Sequence, residues 1–300
     1  MKEIKVYHYD AFTVSPNKGN PAGVVFGADN LTTEEMQTIA KKVGFNETSF
    51  ILKSDRADLR IRFFTPGHEM ELCGHGTVAA VYGLMEQGLI AVTTDITIET
   101  LAGMIHVNYN DELKEVRMSQ APAKFLTFDG DKNLLAASLG ITIDDMHESY
   151  PIVYGSTGIW TLIVPIKNLN TFLGMHPKNK QFPEVLKQIP TASIHPICLE
   201  TYNKTCDMHG RHFSAPRSGT VEDPVTGTAS GVMGAYYVTY INPMDQAELQ
   251  VEQGYEIGKK GVVRVFVSRN KNEIVSRNRN EIEVSIAGKA VYVDEYMIEI

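Results

Sequence analysis

The stretch MELCGHGTVAAVYGLMEQG (residues 70–88) joins a glycine-rich turn to an apolar segment, and this combination decides the fold. Two glycines bracket His75, and Cys73 lies just before them, which suits a tight turn whose backbone approaches another group closely. The residues that follow are apolar on nearly every side until Gly88, the pattern of a buried helix. A buried helix start carries unpaired amide N–H groups and the positive end of the helix dipole. The stretch therefore predicts an internal helix whose electropositive end faces a binding site.

A second stretch, TGTASGVMGAYYVTY (226–240), has the same organisation in the other half of the chain. The two stretches align at an offset of 151 residues (227 − 76 = 151), about half of the chain length. The residue pairs that match at this offset are Gly76 with Gly227, Thr77 with Thr228, Glu71 with Glu222, and Gly83 with Gly234. We therefore predict an α+β protein with two pseudo-repeated halves, each a mostly antiparallel sheet or barrel around one central buried helix.

Short strand signals dominate the remainder of the chain. Segments such as IKVYHYDAF (4–12), LRIRFF (59–64) and MIHVNY (104–109) are β-branched or aromatic and are separated by turn residues. Helices are fewer: a capping box at Thr32 and a glycine at Gly44 predict one between them, and NKQFPEVLKQIP (179–190) predicts a short one. The tandem repeat SRNKNEIV/SRNRNEIE (268–283) predicts a lengthened hairpin with a solvated tip.

Composition limits the class of protein. The 300 residues are 43% hydrophobic and 21% charged, as in globular proteins, and the net charge of −8 argues against nucleic-acid binding. We expect no signal peptide and no membrane helix, because no apolar run approaches the length that a membrane span requires. Three cysteines are too few for a disulfide framework, which favours a reducing cytoplasm. A homodimer is compatible with the sequence.

The two helix starts together predict an anion site. If the halves pack face to face, CGHGT (73–77) and DPVTGT (223–228) direct free N–H groups at a shared cleft, where a small carboxylate would bind. Such dipoles also stabilise charge that develops when a neighbouring carbon loses a proton. The alternative is that both motifs are simply turns that admit a helix into a barrel.

Four side chains near these turns are candidate proton carriers, and each has an ordinary structural alternative. Glu47 begins a strand in GFNETSF, a position that can project into a site, although it could equally be a solvated glutamate. His75 could pack at its turn, and Asp223, before a proline, could be a helix cap. Cys73 could be a thiolate, because helix N-termini lower thiol pKa values, or a small buried filler.

Several blocks, in order along nearly the whole chain, resemble the PhzF-like phenazine-biosynthesis family. The blocks are DAFT…GNPAGVV (10–25), NETSF (46–50), FFTPGHEMELCGHGT (63–77), FSAP…VEDPVTGTA (213–229) and VEQGYEIGKKGVV (251–263). The resemblance implies the diaminopimelate-epimerase-like fold, with two pseudo-repeated domains and the active site between them. We expect one half to comprise 1–118 with 288–300 and the other to comprise 119–287.

The resemblance also implies residue roles in a cofactor-free isomerase. Glu47 matches the glutamate that moves a proton between carbons, and His75 and Asp223 match the assisting residues. The positions expected to contact the substrate are Asn20, Cys73, Gly74, Gly76, Thr77, Gly227 and Thr228. The expected substrate is a small carboxylate-bearing molecule, and neither a metal nor a cofactor is expected.

Departures from the relatives in this fold limit the reaction. Racemases with this fold use two thiols, one at each helix start, but Pro224 occupies the second position here, which disfavours a two-thiol mechanism. A single-thiol epimerase through Cys73, and a non-catalytic binder of a small acid, are the alternatives to the isomerase. The phenazine enzymes have alanine and proline around the histidine where this chain has CGHGT, so the resemblance does not extend to their substrate.

The sequence predicts no metal or nucleotide site at either of two places where a motif could indicate one. In CDMHGRHF (206–213), Cys206, His209 and His212 are three residues apart, which resembles a zinc site. Residues three apart on a strand point to opposite faces, so we expect no metal at this motif. The chain has no GxGxxG or P-loop pattern that would indicate a nucleotide.

Overall fold

The computed structural model describes residues 2–90, 95–218, 220–269 and 281–300. The strands are β1 (Glu3–Ala11), β2 (Asn20–Val25), β3 (Glu47–Leu52), β4 (Leu59–Phe64), β5 (Glu69–Met70), β6 (Asp95–Thr100), β7 (Gly103–Asn110), β8 (Glu115–Ser119), β9 (Lys124–Thr127), β10 (Val153–Ser156), β11 (Trp160–Pro165), β12 (Ser193–Cys198), β13 (Met208–Gly210), β14 (His212–Phe213), β15 (Glu222–Asp223), β16 (Gln246–Gln253), β17 (Gly261–Arg269), β18 (Ile282–Gly288) and β19 (Ala290–Glu299). The α-helices are α1 (Thr33–Val43), α2 (Gly74–Glu86), α3 (Lys132–Leu139), α4 (Phe182–Val185) and α5 (Gly227–Tyr236).

The chain divides into two compact units. Unit 1 comprises Met1–Ser119 and Ala287–Ile300, and unit 2 comprises Gln120–Ile286. Each unit contains a mostly antiparallel sheet and one long buried helix, α2 in unit 1 and α5 in unit 2. The α+β class predicted from the sequence is confirmed.

The sheet of unit 1 is ordered β19-β1-β2-β3-β4-β6-β7-β8, and β5 also pairs with β4. All of these pairings are antiparallel except β2–β3 and β4–β6. Strand β19 therefore completes a sheet that begins near the other end of the chain, and Lys2 and Ile300 exchange two backbone hydrogen bonds of 2.9 Å.

Helix α2 is the internal helix that residues 70–88 predict. Ten of its thirteen residues are buried, and it packs against β1, β2, β3, β8 and β19. A helix that is apolar all round can be stable only in such surroundings, because any exposed face would leave apolar surface in water. Gly88, two residues beyond the helix, has a φ of 63°, which terminates it as the sequence suggests.

Helix α1 confirms the expected capping signals. The Thr32 side chain accepts a hydrogen bond from the Glu35 amide, and the Glu35 carboxylate accepts one from the Thr32 amide. This capping box satisfies two of the amides that a helix start leaves unpaired. At the other end, Gly44 adopts the left-handed conformation with a φ of 74°.

In unit 2, consecutive pairings link β9, β10, β11, β12, β13, β16 and β17, and β14 and β15 form a branch from β12. The β11–β12 and β13–β16 pairings are parallel. Helix α5 buries nine of its ten residues and packs against β10, β16 and β17. The short helix expected at 179–190 is observed as α4.

The glycine pair at the 151-residue offset has one structural role in both helices. A methyl group on Gly83 would lie 2.9 Å from Tyr9 Cε2, and one on Gly234 would lie 2.5 Å from Val265 Cγ1. Each glycine thus allows its helix to approach a strand of its own unit more closely than any side chain would permit.

Two expectations concern features outside this architecture. Most of the tandem repeat, residues 270–280, lies outside the described residues, so the predicted hairpin tip stays a prediction. Within the described ranges, every helix is too short or too polar to cross a membrane.

Candidate active site

Glu47 lies where the sequence predicts, at the first position of β3. The parallel pairing of β3 with β2 aligns Glu47 with Ala22, two residues after Asn20. The first residues of two neighbouring strands, Asn20 of β2 and Glu47 of β3, therefore carry polar side chains near the start of α2. The Glu47 side chain is 14% exposed.

His75, the second residue of α2, contacts this carboxylate. Its Nε2 atom lies 3.1 Å from Glu47 Oε2, and its side chain is 9% exposed. The ring N–H does not point along this line, and no described residue donates a well-directed hydrogen bond to Glu47 Oε2. The contact is therefore an ion pair that leaves a buried carboxylate oxygen available to another partner.

Asn20 holds the opposite edge of the imidazole. Its Nδ2 atom lies 3.3 Å from His75 Nδ1, and Asn20 is fully buried. An amide here suits both ring forms, because it offers an NH₂ donor to the neutral ring and, after a flip, an oxygen to the imidazolium. Asn20 can therefore hold His75 in place while its protonation state changes.

Cys73 caps α2 and completes this cluster. Its Sγ atom accepts a hydrogen bond from the Gly76 amide at 3.3 Å and lies 3.5 Å from His75 Nδ1. Burial raises the pKa of the Cys73 thiol above its ordinary value. The thiol is therefore protonated near neutral pH, and the sequence-based possibility of a thiolate at this helix start is not favoured.

Burial and two neighbouring side chains act in opposite directions on the pKa of His75. Burial would lower its pKa, but the neighbouring Cys73 and Glu47 raise it, and the net result lies well above the ordinary value. Because burial keeps the thiol of Cys73 neutral, we attribute the raised pKa of His75 mainly to the Glu47 carboxylate. At neutral pH the cluster therefore holds an imidazolium beside a carboxylate.

The helix start itself is tightly fixed. Ser49 on β3 donates a hydrogen bond from Oγ to the Gly76 carbonyl at 3.1 Å. A Cβ atom on Gly76 would lie 2.8 Å from Ser49 Oγ. Thr77 donates from Oγ1 to the Cys73 carbonyl at 2.8 Å and is fully buried. Thr77, expected to contact the substrate, thus has its hydroxyl engaged within the helix start.

The first amides of the two buried helices have no hydrogen-bond acceptor among the described residues. Across the described ranges, no group accepts a hydrogen bond from the amides of Gly74 and His75 in α2, or of Gly227 and Thr228 in α5. These are the first two residues of each helix, where the dipole is most positive. Gly74 and Gly227 therefore occupy positions suited to holding an anion.

Asp223 lies in a different kind of environment, at the start of α5 in unit 2. Its carboxylate accepts a hydrogen bond from the Thr226 hydroxyl, and its backbone carbonyl accepts one from Gln253 Nε2 at 2.7 Å. The Oε1 atom of Gln253 in turn accepts from the Thr226 amide at 3.2 Å. A buried glutamine thus fixes the turn that carries Asp223 and the first residues of α5.

The carbonyl of Thr228 accepts a hydrogen bond from Thr157 Oγ1 at 3.0 Å.

The expected site residues therefore fall into two groups. In unit 1, His75 contacts Asn20, Glu47 and Cys73. In unit 2, Asp223 ends β15, and Gly227 and Thr228 begin α5 shortly after it in the chain.

Sequence reasoning missed two residues that fix these turns, Ser49 and Gln253. Both lie within blocks that carry the family resemblance, NETSF and VEQGYEIGKKGVV, but neither residue type suggests chemistry. The resemblance was the available signal for both.

The histidines of the CDMHGRHF motif have separate partners. The Nδ1 and Nε2 atoms of His209 lie 3.0 and 3.1 Å from Glu252 and Glu256, and His212 contacts His195 at 3.1 Å. His209 lies on β13 and His212 lies on β14, so the two rings contact different side chains.

Comparison with known proteins gives consistent matches over the whole chain. The model of the phenazine biosynthesis-like protein family matches residues 9–296. An uncharacterised isomerase of Bacillus subtilis, YfhB, is 51% identical over 302 aligned positions that cover 100% of both chains. A crystal structure of a Bacillus anthracis phenazine biosynthesis protein of the PhzF family is 55% identical, covers 100% of both chains and superposes with a TM-score of 0.95.

Proteins with much lower sequence identity also share the fold. A probable proline racemase from Agrobacterium radiobacter has a TM-score of 0.64 at 13% identity, with 99% of this chain and 93% of that chain covered. The predicted epimerase-like fold is therefore confirmed.

Proposed function

Because the chain belongs to the phenazine biosynthesis-like protein family, we propose that it is an isomerase that moves a proton within a small carboxylate-bearing molecule. The observation that carries the proposal is the buried ion pair of Glu47 and His75, 3.1 Å apart beside a helix start with free amides. A base, its charged partner and anion donors in one place are the groups that proton abstraction next to a carboxylate requires.

In this mechanism Glu47 is the proton carrier. Its Oε2 atom has no well-directed donor among the described residues, so a lone pair is free to receive a proton from carbon. The carboxylate takes the proton from one carbon and returns it to another carbon of the same molecule, so nothing is consumed. The reaction needs no cofactor, because all of its steps are proton transfers.

His75 stabilises the charges that change during this cycle. Its pKa is raised well above the ordinary value, against the effect of burial, mainly by the Glu47 carboxylate, so an imidazolium is in place when the substrate binds. When Glu47 becomes protonated, negative charge moves to the substrate, and the imidazolium stays close enough to offset it. Asn20 keeps the ring oriented throughout.

The helix starts hold the acid group of the substrate. The free amides of Gly74 and His75, together with those of Gly227 and Thr228, are the proposed donors to the carboxylate. Asp223, fixed by Thr226 and Gln253, is proposed to orient the substrate or to handle a proton on a heteroatom.

We test the proposal by hydrogen exchange in D₂O with a panel of small carboxylates, followed by NMR. The wild-type protein should exchange or relocate a carbon-bound hydrogen of at least one of them. Glu47→Gln should lower this rate by about 10²- to 10⁴-fold, the usual contribution of a positioned general base. Ligand binding should be almost unchanged, because the amide is isosteric with the carboxylate.

Glu86→Gln provides the matched control. Glu86 is an exposed glutamate of the same unit, whose carboxylate accepts a hydrogen bond from the Tyr9 hydroxyl at 2.9 Å. This variant should exchange hydrogen at the wild-type rate. Full activity in Glu47→Gln would remove Glu47 from the mechanism, and binding without any exchange by the wild-type protein would indicate a non-catalytic acid binder.

The contact between Cys73 Sγ and His75, 3.5 Å, favours a second candidate, an epimerase that uses one thiol. The two reactions leave different labels. An epimerase places deuterium at the original carbon, whereas the isomerase relocates hydrogen within the molecule. The three cysteines are free and buried, and we propose that the enzyme works in a reducing cytoplasm.

A further inference from the structure

The cluster at the start of α2 contains three different metal-ligating groups. A carboxylate oxygen of Glu47, the Sγ atom of Cys73 and a ring nitrogen of His75 all lie within 4.8 Å of one another. They come from the first residue of β3, the N-cap of α2 and the second residue of α2. The three groups are therefore held by regular secondary structure rather than by a loop.

From this geometry we propose that Glu47, Cys73 and His75 form a Zn²⁺ site, and that zinc bound there inhibits the enzyme reversibly. Zinc combines thiolate, imidazole and carboxylate ligands in tetrahedral sites, whereas Mg²⁺ and Ca²⁺ require mostly oxygen. Three protein ligands leave the fourth position for water or for a carboxylate.

The observed distances are near those of such a site, and because Cys73 Sγ lies closer to His75 Nδ1, at 3.5 Å, than to Nε2, the ring has to turn for Nε2 to bind the metal. Ordinary zinc–ligand bonds at tetrahedral angles separate sulfur from nitrogen by about 3.5 Å and nitrogen from oxygen by about 3.3 Å. In the protein, Cys73 Sγ lies 3.8 Å from His75 Nε2, and His75 Nε2 lies 3.1 Å from Glu47 Oε2. The remaining pair, sulfur and oxygen, is within 4.8 Å and has to close by about 1 Å at most.

The hydrogen bonding of the cluster leaves room for a cation. Glu47 Oε2 is buried without a well-directed donor, so its lone pairs are available. The Gly76 amide, which now donates to Cys73 Sγ, can also donate to a metal-bound thiolate, which accepts more strongly than a thiol. On binding, the sulfur–hydrogen bond of Cys73 is replaced by a sulfur–zinc bond, and the proton leaves to solvent; an imidazolium also releases its Nε2 proton.

Inhibition follows if Glu47 and His75 carry the proposed reaction. A carboxylate and an imidazole that are both bound to zinc can neither accept nor stabilise a proton from carbon. This consequence depends on the proposed function, but zinc binding itself does not. Binding is therefore measured separately from activity.

The first experiment is a zinc titration of the chelator-treated full-length protein, in competition with a chromophoric chelator. The wild-type protein should bind one Zn²⁺ per chain. Cys73→Ser should weaken binding by at least about 100-fold, because replacement of a partner behind a ligand already costs 10- to 100-fold. Cys206→Ser, which removes another buried thiol, should bind as the wild type does.

The second experiment replaces zinc with Co²⁺ and records the near-ultraviolet spectrum. A thiolate–cobalt charge-transfer band should appear in the wild type and in Cys206→Ser, and should be absent in Cys73→Ser. Melting curves without metal show whether each variant is folded. Glu47→Gln, a nearly isosteric change, provides a second ligand variant if Cys73→Ser is unfolded, and it should bind Zn²⁺ at least tenfold more weakly.

Two results would overturn the proposal: a wild-type protein that binds no stoichiometric zinc, or a Cys73→Ser variant that binds zinc as tightly as the wild type. Inhibition is then tested by adding Zn²⁺ to the exchange assay, with recovery on adding chelator. Zinc binding at Cys73 together with full activity of Glu47→Gln would leave the metal site intact and reject the proposed function instead.

Discussion

The two buried helix starts share a backbone design and differ in their chemistry. At the start of α2, a histidine, a glutamate and a thiol contact one another, and the pKa of His75 is raised against the effect of burial. At the start of α5, Asp223 and Thr226 bond to each other and to Gln253. The first start is therefore suited to moving a proton, and the second to holding a group in a fixed position.

Under the proposed function, this difference divides two tasks between the halves of the pseudo-repeat. Both helices keep free amides at their first two residues and a glycine at the closest approach to a strand. The side chains around these constant features are not repeated. Variants that alter one start should therefore have effects of a different kind from variants that alter the other.

Among the variants that retain the proposed proton carrier, the largest effect is expected from Gly76→Ala at the start of α2. The new methyl group would lie 2.8 Å from Ser49 Oγ and 3.1 Å from Cys73 Sγ, so the turn has to shift. We expect about 3 kcal/mol of lost stability and about 10²-fold lower kcat/KM, since a small displacement of reacting groups is costly. Thermal unfolding and the exchange assay measure both effects.

Gly74→Ala is the control for this variant, because a methyl group there has no neighbour within 4 Å. It should change stability by less than about 1 kcal/mol. Equal losses in the two variants would show that the turn tolerates no side chain at either position, and that contact with Ser49 is not the cause.

At the second start, Gln253→Ala should affect binding more than catalysis. The change removes the donor to the Asp223 carbonyl and the acceptor of the Thr226 amide, at a cost of about 2 kcal/mol. We expect a higher KM with kcat within a few-fold of wild type, in contrast to Glu47→Gln. Gln250→Ala, on the same strand and half-buried, is the control. A fall in kcat with unchanged KM would contradict the division of tasks.

Acid should weaken unit 2 through His212. Burial lowers the pKa of His212 to about 4, whereas the value in the unfolded chain is about 6.5. The contribution of His212 to the free energy of unfolding is therefore complete above pH 6.5 and is lost as the pH falls towards 4. At pH 5 the expected loss is about 2 kcal/mol. Trp160, the single tryptophan, lies in unit 2 and reports its unfolding by fluorescence. In the variant His212→Asn, the free energy of unfolding of unit 2 should depend less on pH. An unchanged pH dependence in this variant would contradict the assignment to His212.

The opposite pH dependence is expected for His75. Its folded pKa lies well above the ordinary value, so its stabilising contribution is complete below about pH 6.5 and is lost as the pH rises through the folded pKa. Amide hydrogen exchange in α2 should therefore become less protected with rising pH, beyond the intrinsic increase in rate. Glu47→Gln should remove this trend.

The smallest effect is expected from Cys73→Ser. Serine is also an N-cap residue and can accept the hydrogen bond from the Gly76 amide. We expect kcat/KM to fall by less than about tenfold, whereas a thiol-dependent epimerase would lose about 10⁴-fold. A loss of that size would transfer the main chemical role from Glu47 to Cys73.

Much of this organisation could be predicted because it depends on local pattern. The apolar stretch after His75 required a buried helix, and the capping box at Thr32 with Gly44 marked both ends of α1. The position of Glu47 at the first residue of a strand was also evident from the turn residues before it.

The remainder depends on contacts between distant residues that no spacing reveals. Ser49 and Gln253 are ordinary strand residues, and only the register of β3 and β16 brings them to the helix starts. The contacts of His209 with Glu252 and Glu256 depend in the same way on the pairing of β13 with β16.

Strand β19 has a consequence for how the protein folds during translation. Unit 1 needs residues 290–299 to pair with β1, but the ribosome makes these residues only after the whole of unit 2, which is a continuous segment. Unit 2 can therefore fold first, while the edge of β1 that will pair with β19 remains unpaired and is able to pair with other nascent chains. Slow translation of residues 290–299 should lengthen this interval and raise the demand for chaperones.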